Sequence, residues 1–96
     1  MRAYSIFDDF TEEAIQILTD AGVEVVVHPK GLQRPDNAQM KTILENYDCA
    51  IIGTSQKISE DMFENVDSPR IIATASVGLD HIKIPDEKKH LITIVN

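Results

Sequence analysis

The chain has 96 residues, of which 43% are hydrophobic and 26% are charged, and these proportions are those of one small globular domain. Sixteen acidic against nine basic residues give a formal net charge of −7. This charge disfavours nucleic acid and anionic membranes as partners, because like charges repel. No apolar run approaches the ~20 residues of a membrane span, and no leader is recognisable, so we expect a cytoplasmic protein. The single cysteine, Cys49, lies in an apolar run and predicts a buried thiol in a reducing compartment.

The first part of the chain predicts a strand, a helix and a second strand. Residues 2–7 form a short β-prone run, and Thr11 is placed to cap a helix at its N-terminus. Apolar residues at helical spacing predict the buried face of that helix: Ala14, Ile17, Leu18 and Ala21. Gly22 is typical of the position just after a helix. The β-branched run at 23–27 then predicts a strand that is covered on both faces.

The rest of the chain continues this alternation. Asp36, with Gln39 three positions later, predicts the start of a second helix. The apolar face of this helix is predicted at Met40, Ile43, Leu44 and Tyr47. Three more strands are predicted over residues 49–53, 70–74 and 91–95, with short helices from Ser59 and from Pro85 between them.

This order of elements predicts an α/β domain that spans residues 1–96. We expect a flavodoxin-like, five-stranded parallel sheet in the order 2-1-3-4-5, with helices on both faces. Open parallel sheets bind ligands outside the carboxyl ends of their strands, where the strand order reverses. The candidate site is therefore formed by the loops at residues 7–10, 54–57 and 75–80.

Several kinds of site are excluded by residue spacing. The glycines at positions 22, 31, 53 and 78 lie too far apart for a G-x-G-x-x-G fingerprint or a P-loop. The three histidines and Cys49 do not have the spacing of metal ligands. We therefore expect no cofactor-binding and no metal-binding residues in this chain.

An acidic pair, Asp8 and Asp9, follows the first predicted strand and resembles the magnesium cluster of phospho-receiver domains. That family also needs an acceptor aspartate after the third strand, where this chain has Thr54 and Ser55. The same turn lacks the hydroxyl- and glycine-rich chemistry of a flavodoxin phosphate loop. A solvated turn is the simpler interpretation of the two aspartates.

The segment after the fourth predicted strand contains small residues and Gly78. Backbone N–H groups in such a segment can point together and bind a carboxylate. A structural turn would have the same composition, so the pattern alone leaves both interpretations open.

Three stretches together resemble the D-isomer-specific 2-hydroxyacid dehydrogenase family, in the N-terminal part of its substrate-binding domain. They are residues 47–60 (YDCAIIGTSQKISE), 72–82 (IATASVGLDHI) and 91–96 (LITIVN). The stretch around Gly78 is the most specific of the three, and the resemblance extends over nearly the whole chain.

The resemblance implies which residues contact a substrate. Backbone N–H groups at Ser76, Val77 and Gly78 would hold the carboxylate of a small 2-hydroxy or 2-keto acid, and Thr54 and Ser55 would face the same substrate. Many family members have arginine where this chain has Gly53 and Thr74. Loss of those cations weakens the expectation of a phosphorylated substrate such as phosphoglycerate.

The resemblance also implies what these 96 residues do not contain. Family members are longer and carry an NAD-binding Rossmann domain and the catalytic residues beyond this segment. We therefore expect no catalytic residue here, no NAD bound by this chain alone, and no hydride transfer without the missing domain. The face left by that domain predicts self-association into a homo-oligomer. The alternatives are a stand-alone, non-catalytic module that binds small acids or another protein, and an unrelated doubly wound domain.

Overall fold

A computed structural model describes residues 1–75 and 78–96 of the chain. Its strands are β1 (Arg2–Ser5), β2 (Glu24–Val27), β3 (Cys49–Ile52), β4 (Arg70–Thr74) and β5 (Ile92–Val95). Its α-helices are α1 (Glu12–Asp20) and α2 (Asn37–Asn46), and two 3₁₀ helices span Glu60–Phe63 and Asp86–Leu91. The strands form one parallel sheet in the order β2-β1-β3-β4-β5, which confirms the predicted topology. No helix of the described residues is long and apolar enough to cross a membrane.

Both predicted helix caps are present. The Thr11 hydroxyl accepts the Ala14 N–H over 3.1 Å at the start of α1. Asp36 and Gln39 form a reciprocal capping box at the start of α2, with distances of 2.8 and 2.9 Å. These caps depend on residues that are neighbours in sequence, and such caps stabilise a helix by about 0.5–2 kcal/mol.

Some element boundaries differ from the predictions. β1 ends at Ser5 because the Ser5 hydroxyl accepts the Phe7 N–H over 3.1 Å and turns the chain away from the sheet. The segments after Ser59 and Pro85 form 3₁₀ helices rather than α-helices. Each is only a few residues long, which is typical of 3₁₀ structure.

The core lies between one face of the sheet and α2. Ala50, Ile52 and Ile72 point to this face and are at most 2% exposed. They pack in one cluster with Met40, Ile43 and Leu44 of α2 and with Phe63. The alternating burial of β3 and β4 shows that their other side chains face the opposite side of the sheet.

The opposite face is covered over only part of the sheet. Ala3 and Ser5 are buried there, whereas their register neighbours Cys49 and Ile51 are half-buried, and Val95 at the far edge is 53% exposed. On this face, the sheet is therefore fully covered at β1 but only partly covered from β3 onward. We call the part formed by Cys49, Ile51, Ile71, Ala73 and Val95 the open half-face.

Three burial predictions are wrong. Ile17 was predicted to face the core but is 69% exposed, and Ala21 is exposed as well. α1 packs against the edge strand β2, so its contact is narrow and its half-buried residues are Ala14, Ile15 and Leu18. The valines of β2 are half-buried for the same reason, because an edge strand has little cover. Cys49 is half-buried rather than buried, since it lies on the open half-face.

Candidate functional site

The loops at the carboxyl ends of the strands meet where the sheet reverses its order. β1 lies between β2 and β3, so the chain moves outward in one direction from β1 to β2 and in the other from β3 to β5. A crevice at this switch point is the usual ligand site of an open parallel sheet. The predicted loops after β1, β3 and β4 lie at the carboxyl ends of the strands, and the β2–α2 loop lies at the same end of the sheet.

The predicted site residues are partly described. Thr54 and Ser55 are exposed in a turn directly after β3, which is closed by the Gln56 N–H donating to the Gly53 carbonyl over 3.2 Å. Gly78 is exposed in the loop after β4. Ser76 and Val77 lie outside the described residues. The structure therefore places Thr54, Ser55 and Gly78 on the loops of two neighbouring strands.

A short parallel bridge joins those two loops beyond the ends of their strands. The Ile58 N–H donates to the His81 carbonyl, and the Lys83 N–H donates to the Ile58 carbonyl, each over 2.8 Å. Ile58 and Ile82 are also buried in the core. Each of the two loops is therefore anchored at one end by its strand and at the other end by this bridge.

Thr74, at the end of β4, is 5% exposed and pairs with a histidine of the next loop. Its Oγ1 lies 3.0 Å from His81 Nε2. This contact joins the end of the strand to the far side of the loop that contains Gly78. Thr74 thus forms a hydroxyl–imidazole contact at the position where the family resemblance implies an arginine in many members.

An aromatic ring covers the start of the loop after β3. A Cβ atom added at Gly53 would lie 3.0 Å from Phe7 Cζ, so the glycine allows the Phe7 ring to pack close to the backbone. The Arg34 guanidinium lies over the same ring, 4.8 Å from its centroid. Arg34 Nη1 also donates to Ser55 Oγ over 3.3 Å. Sequence analysis placed Phe7 and Ser55 on loops that meet, but it did not identify Arg34, because no local pattern indicates that the β2–α2 loop joins them.

A buried histidine holds the loop that carries Arg34. His28 is 7% exposed, and its Nε2 lies 2.7 Å from the Gln33 carbonyl oxygen. Because a carbonyl only accepts, Nε2 carries a proton, and Nδ1, when unprotonated, accepts from the Tyr4 hydroxyl 2.6 Å away. The end of β2 is thereby tied both to β1 and to the residue before Arg34.

The turn after β1 has an acidic composition. The turn after β1 carries two exposed carboxylates, Asp8 and Asp9, where a pyrophosphate would need glycines and backbone N–H groups. Asp8 Oδ2 accepts the Gly31 N–H over 3.4 Å. No group of three or more potential metal ligands occurs within 1–75 and 78–96. The acidic turn after β1 therefore differs from the glycine-rich turn that binds a pyrophosphate.

A cavity of about 500 Å³ lies near the amino ends of the strands, opposite the candidate site. Its lining includes Met1, Asp48 and Arg70, which lie at or before the amino ends of β1, β3 and β4. Arg70 is already occupied there, because it donates to the Leu44 and Glu45 carbonyls at the end of α2 over 2.7 and 3.0 Å. This position and these contacts indicate a structural gap rather than the ligand site.

Comparison with known families identifies the chain's relatives. The model of the D-isomer specific 2-hydroxyacid dehydrogenase catalytic domain matches residues 4–96. The D-3-phosphoglycerate dehydrogenase of Bacillus subtilis is 24% identical over 91 residues, which cover 95% of this chain and 16% of that protein.

Two crystal structures have the same fold. The TT0316 protein of Thermus thermophilus superposes with a TM-score of 0.75 at 26% identity, over 98% of this chain and 29% of its own. The PH0520 protein of Pyrococcus horikoshii has a TM-score of 0.70 at 21% identity, over 99% of this chain and 27% of its own. The chain thus spans less than a third of each of these relatives.

Proposed function

Because the chain belongs to the D-isomer specific 2-hydroxyacid dehydrogenase family, we propose that it is the substrate-binding portion of an NAD-dependent dehydrogenase of this kind. The complete enzyme would transfer a hydride between NAD and a small 2-hydroxy or 2-keto acid. The observation that supports this most is the match of the family's catalytic-domain model to residues 4–96. Residues 1–96 would be the N-terminal part of the substrate-binding domain.

The carboxylate of the substrate would be held in the loop after β4. Backbone N–H groups at Ser76, Val77 and Gly78 would donate to it, as the family resemblance implies. Thr54 and Ser55 are exposed on the neighbouring loop and would contact the rest of the molecule. The bridge between Ile58 and Ile82 supports this assignment, because it keeps the two loops side by side.

The same proposal makes the 96 residues inactive alone. Their glycine spacing and the acidic turn after β1 do not fit NAD, so the cofactor would be bound by a Rossmann domain outside this chain. We assign no catalytic residue within the chain. Its own contribution is to bind the acid and to orient it.

The proposed function also suggests partners and a location for the protein. The open half-face leaves apolar side chains of a parallel sheet only partly covered, and such sheets are normally covered on both faces. We infer that an NAD-binding domain outside this chain, or a second copy of the chain, packs against the open half-face. A cytoplasmic location agrees with the single free thiol of Cys49.

Titration of the 96-residue chain with D-lactate and pyruvate, followed by NMR, tests the binding role. We expect shifts in the amides of the loops after β3 and β4, and no NADH formation when NAD and D-lactate are added. Val77→Pro removes one backbone donor, and Val77→Ala is its matched control because it keeps the N–H. Loss of binding in the proline variant alone supports the proposal.

Two results would oppose the proposal. Absence of any shift up to high acid concentration would remove the substrate-binding role, and NADH formation by the chain alone would refute its inactivity. Binding without catalysis, combined with a natural polypeptide of 96 residues, would favour the alternative of a stand-alone, non-catalytic module. Light scattering tests association: a monomer at high concentration contradicts the homo-oligomer.

A further inference from the structure

Among the described residues, the sheet ends in two edge strands, β2 and β5, which differ in composition. β2 begins with Glu24, which lies 3.8 Å from Arg2 in an ion pair, and Pro29 follows shortly after the strand ends. Charged residues and prolines are the means by which edge strands avoid pairing with another chain. β5 consists of four β-branched residues, Ile92–Val95, with no charge, proline or glycine. It is therefore the edge that its own sequence does not protect against pairing.

The backbone of β5 turns polar groups toward the free edge. The Ile71 N–H donates to the Asp48 carbonyl, beside β3, over 2.8 Å. Because successive residues of a central strand bond to opposite sides, the next residue, Ile72, bonds to β5. Its register partner there is Ile94, and in a parallel ladder a residue bonds to the two neighbours of its partner. The N–H and C=O of Ile94 therefore point away from β4, to the side where no strand follows.

A cavity of about 370 Å³ lies beside this edge. Three isoleucines line it, among them Ile94, together with two lysines and two carboxylates, which are Lys83, Lys89, Glu60 and Asp86. Lys89 and Asp86 form an ion pair over 2.8 Å. The charges around the cavity thus balance, although the whole chain has a net charge of −7. A second acidic copy of the chain is therefore not repelled here, as it would be over most of the surface.

We propose that β5 pairs antiparallel with β5 of a second copy of this chain, about a two-fold axis at Ile94. The two Ile94 residues would exchange backbone hydrogen bonds, and Thr93 of each copy would lie opposite Val95 of the other. Directly opposite side chains share a face of the sheet at about 4.5–5.5 Å between Cβ atoms. Ile94 of each copy would therefore extend toward the cavity beside Ile94 of the other. This surface would form the homo-oligomer of the proposed function, on which the inference rests, and it does not involve the acid-binding loops.

The expected dimer is weak and reversible. Each β5 has four residues, whereas a standard interface has about 20–30 residues on each side. Backbone hydrogen bonds along the edge and the filling of two apolar cavities would supply most of the affinity. Association should accordingly depend on concentration.

Sedimentation equilibrium between about 10 µM and 1 mM measures this association. Thr93 and Val95 are both exposed, so they accept charged side chains in the folded chain. Thr93→Lys/Val95→Lys would place lysine opposite lysine across the two-fold axis, whereas Thr93→Glu/Val95→Lys would place glutamate opposite lysine. Ile51→Lys puts a charge on the open half-face two strands from the edge, as a control for association through that face. Circular dichroism confirms first that all variants fold alike.

We expect the unaltered chain to dimerise and the double-lysine variant to raise the dissociation constant by about tenfold or more. The glutamate–lysine variant and Ile51→Lys should stay within about threefold of the unaltered chain. Hydrogen exchange of the Ile94 amide should also slow as the concentration of the unaltered chain rises.

Three results would overturn this assignment. They are a monomer at every concentration, equal weakening by the two double variants, and weakening by Ile51→Lys, which would indicate the open half-face instead. Acid binding is measured separately by NMR on the same chain. Its failure would remove the acid-binding role without affecting β5 pairing, so the two can be distinguished.

Discussion

The hydrogen bond between Tyr4 and His28 gives a sharp test of how the site loops are held. Tyr4→Phe removes one hydroxyl and keeps the ring, which packs edge-on against Tyr47 with centroids 5.2 Å apart. It leaves Nδ1 of His28, a side chain that is only 7% exposed, without the donor that now lies 2.6 Å away. Because the Gln33 carbonyl requires the proton on Nε2, a move of that proton to Nδ1 would break the hydrogen bond to Gln33.

The expected cost follows from this geometry. A buried acceptor left without its partner costs about 1–3 kcal/mol in the free energy of unfolding. For a domain of this size, each kcal/mol lowers the melting temperature by roughly 4–8 °C. Urea unfolding followed by far-UV circular dichroism measures the change, since the chain has no tryptophan.

Tyr47→Phe is the matched control. Tyr47 belongs to the same aromatic cluster, and its hydroxyl makes no hydrogen bond within the described part of the chain. Its loss should change the free energy of unfolding by no more than about 0.5 kcal/mol. Equal destabilisation by the two substitutions would refute the proton assignment and the structural role of His28.

Three further predictions concern the core, a helix end and the open half-face. Phe63 is fully buried, so Phe63→Ala should cost about 3–5 kcal/mol in chemical unfolding; a loss below 1 kcal/mol would contradict the packing. Arg70→Lys should lower the free energy of unfolding by about 1–2 kcal/mol, because a single ammonium cannot replace the guanidinium that donates to both the Leu44 and Glu45 carbonyls. An unchanged melting temperature would contradict this expectation. Burial, together with nearby charge, raises the pKa of Cys49 above the ordinary thiol value of 9.0, so alkylation of the folded chain should begin at higher pH than that of the urea-unfolded chain. Since the folded pKa is the higher one, the thiol's contribution to stability is present below pH 9.0 and is lost as pH rises through the folded pKa; identical alkylation profiles would contradict this.

Sequence reasoning succeeded where structure depends on neighbours along the chain. Thr11 and Asp36 cap helices through bonds to residues three positions away, and regular alternation of elements leaves few possible sheet orders. It failed for Ile17, because helical spacing indicates which residues share a face but not how wide a surface that face meets. The contact of Arg34 with Phe7 and Ser55 was beyond its reach, since it joins three loops that are far apart in sequence.

The bridge between Ile58 and Ile82 has a consequence for how the two loops can change during evolution. The loop after β3 starts at a strand end and finishes at this bridge, and so does the loop after β4. Substitutions within either arc leave both of its anchor points in the core, where Ile58 and Ile82 are buried. The exposed residues of each arc, such as Thr54 and Ser55, can therefore diversify between related sequences at little cost to folding, and insertions there would lengthen an arc without displacing a strand.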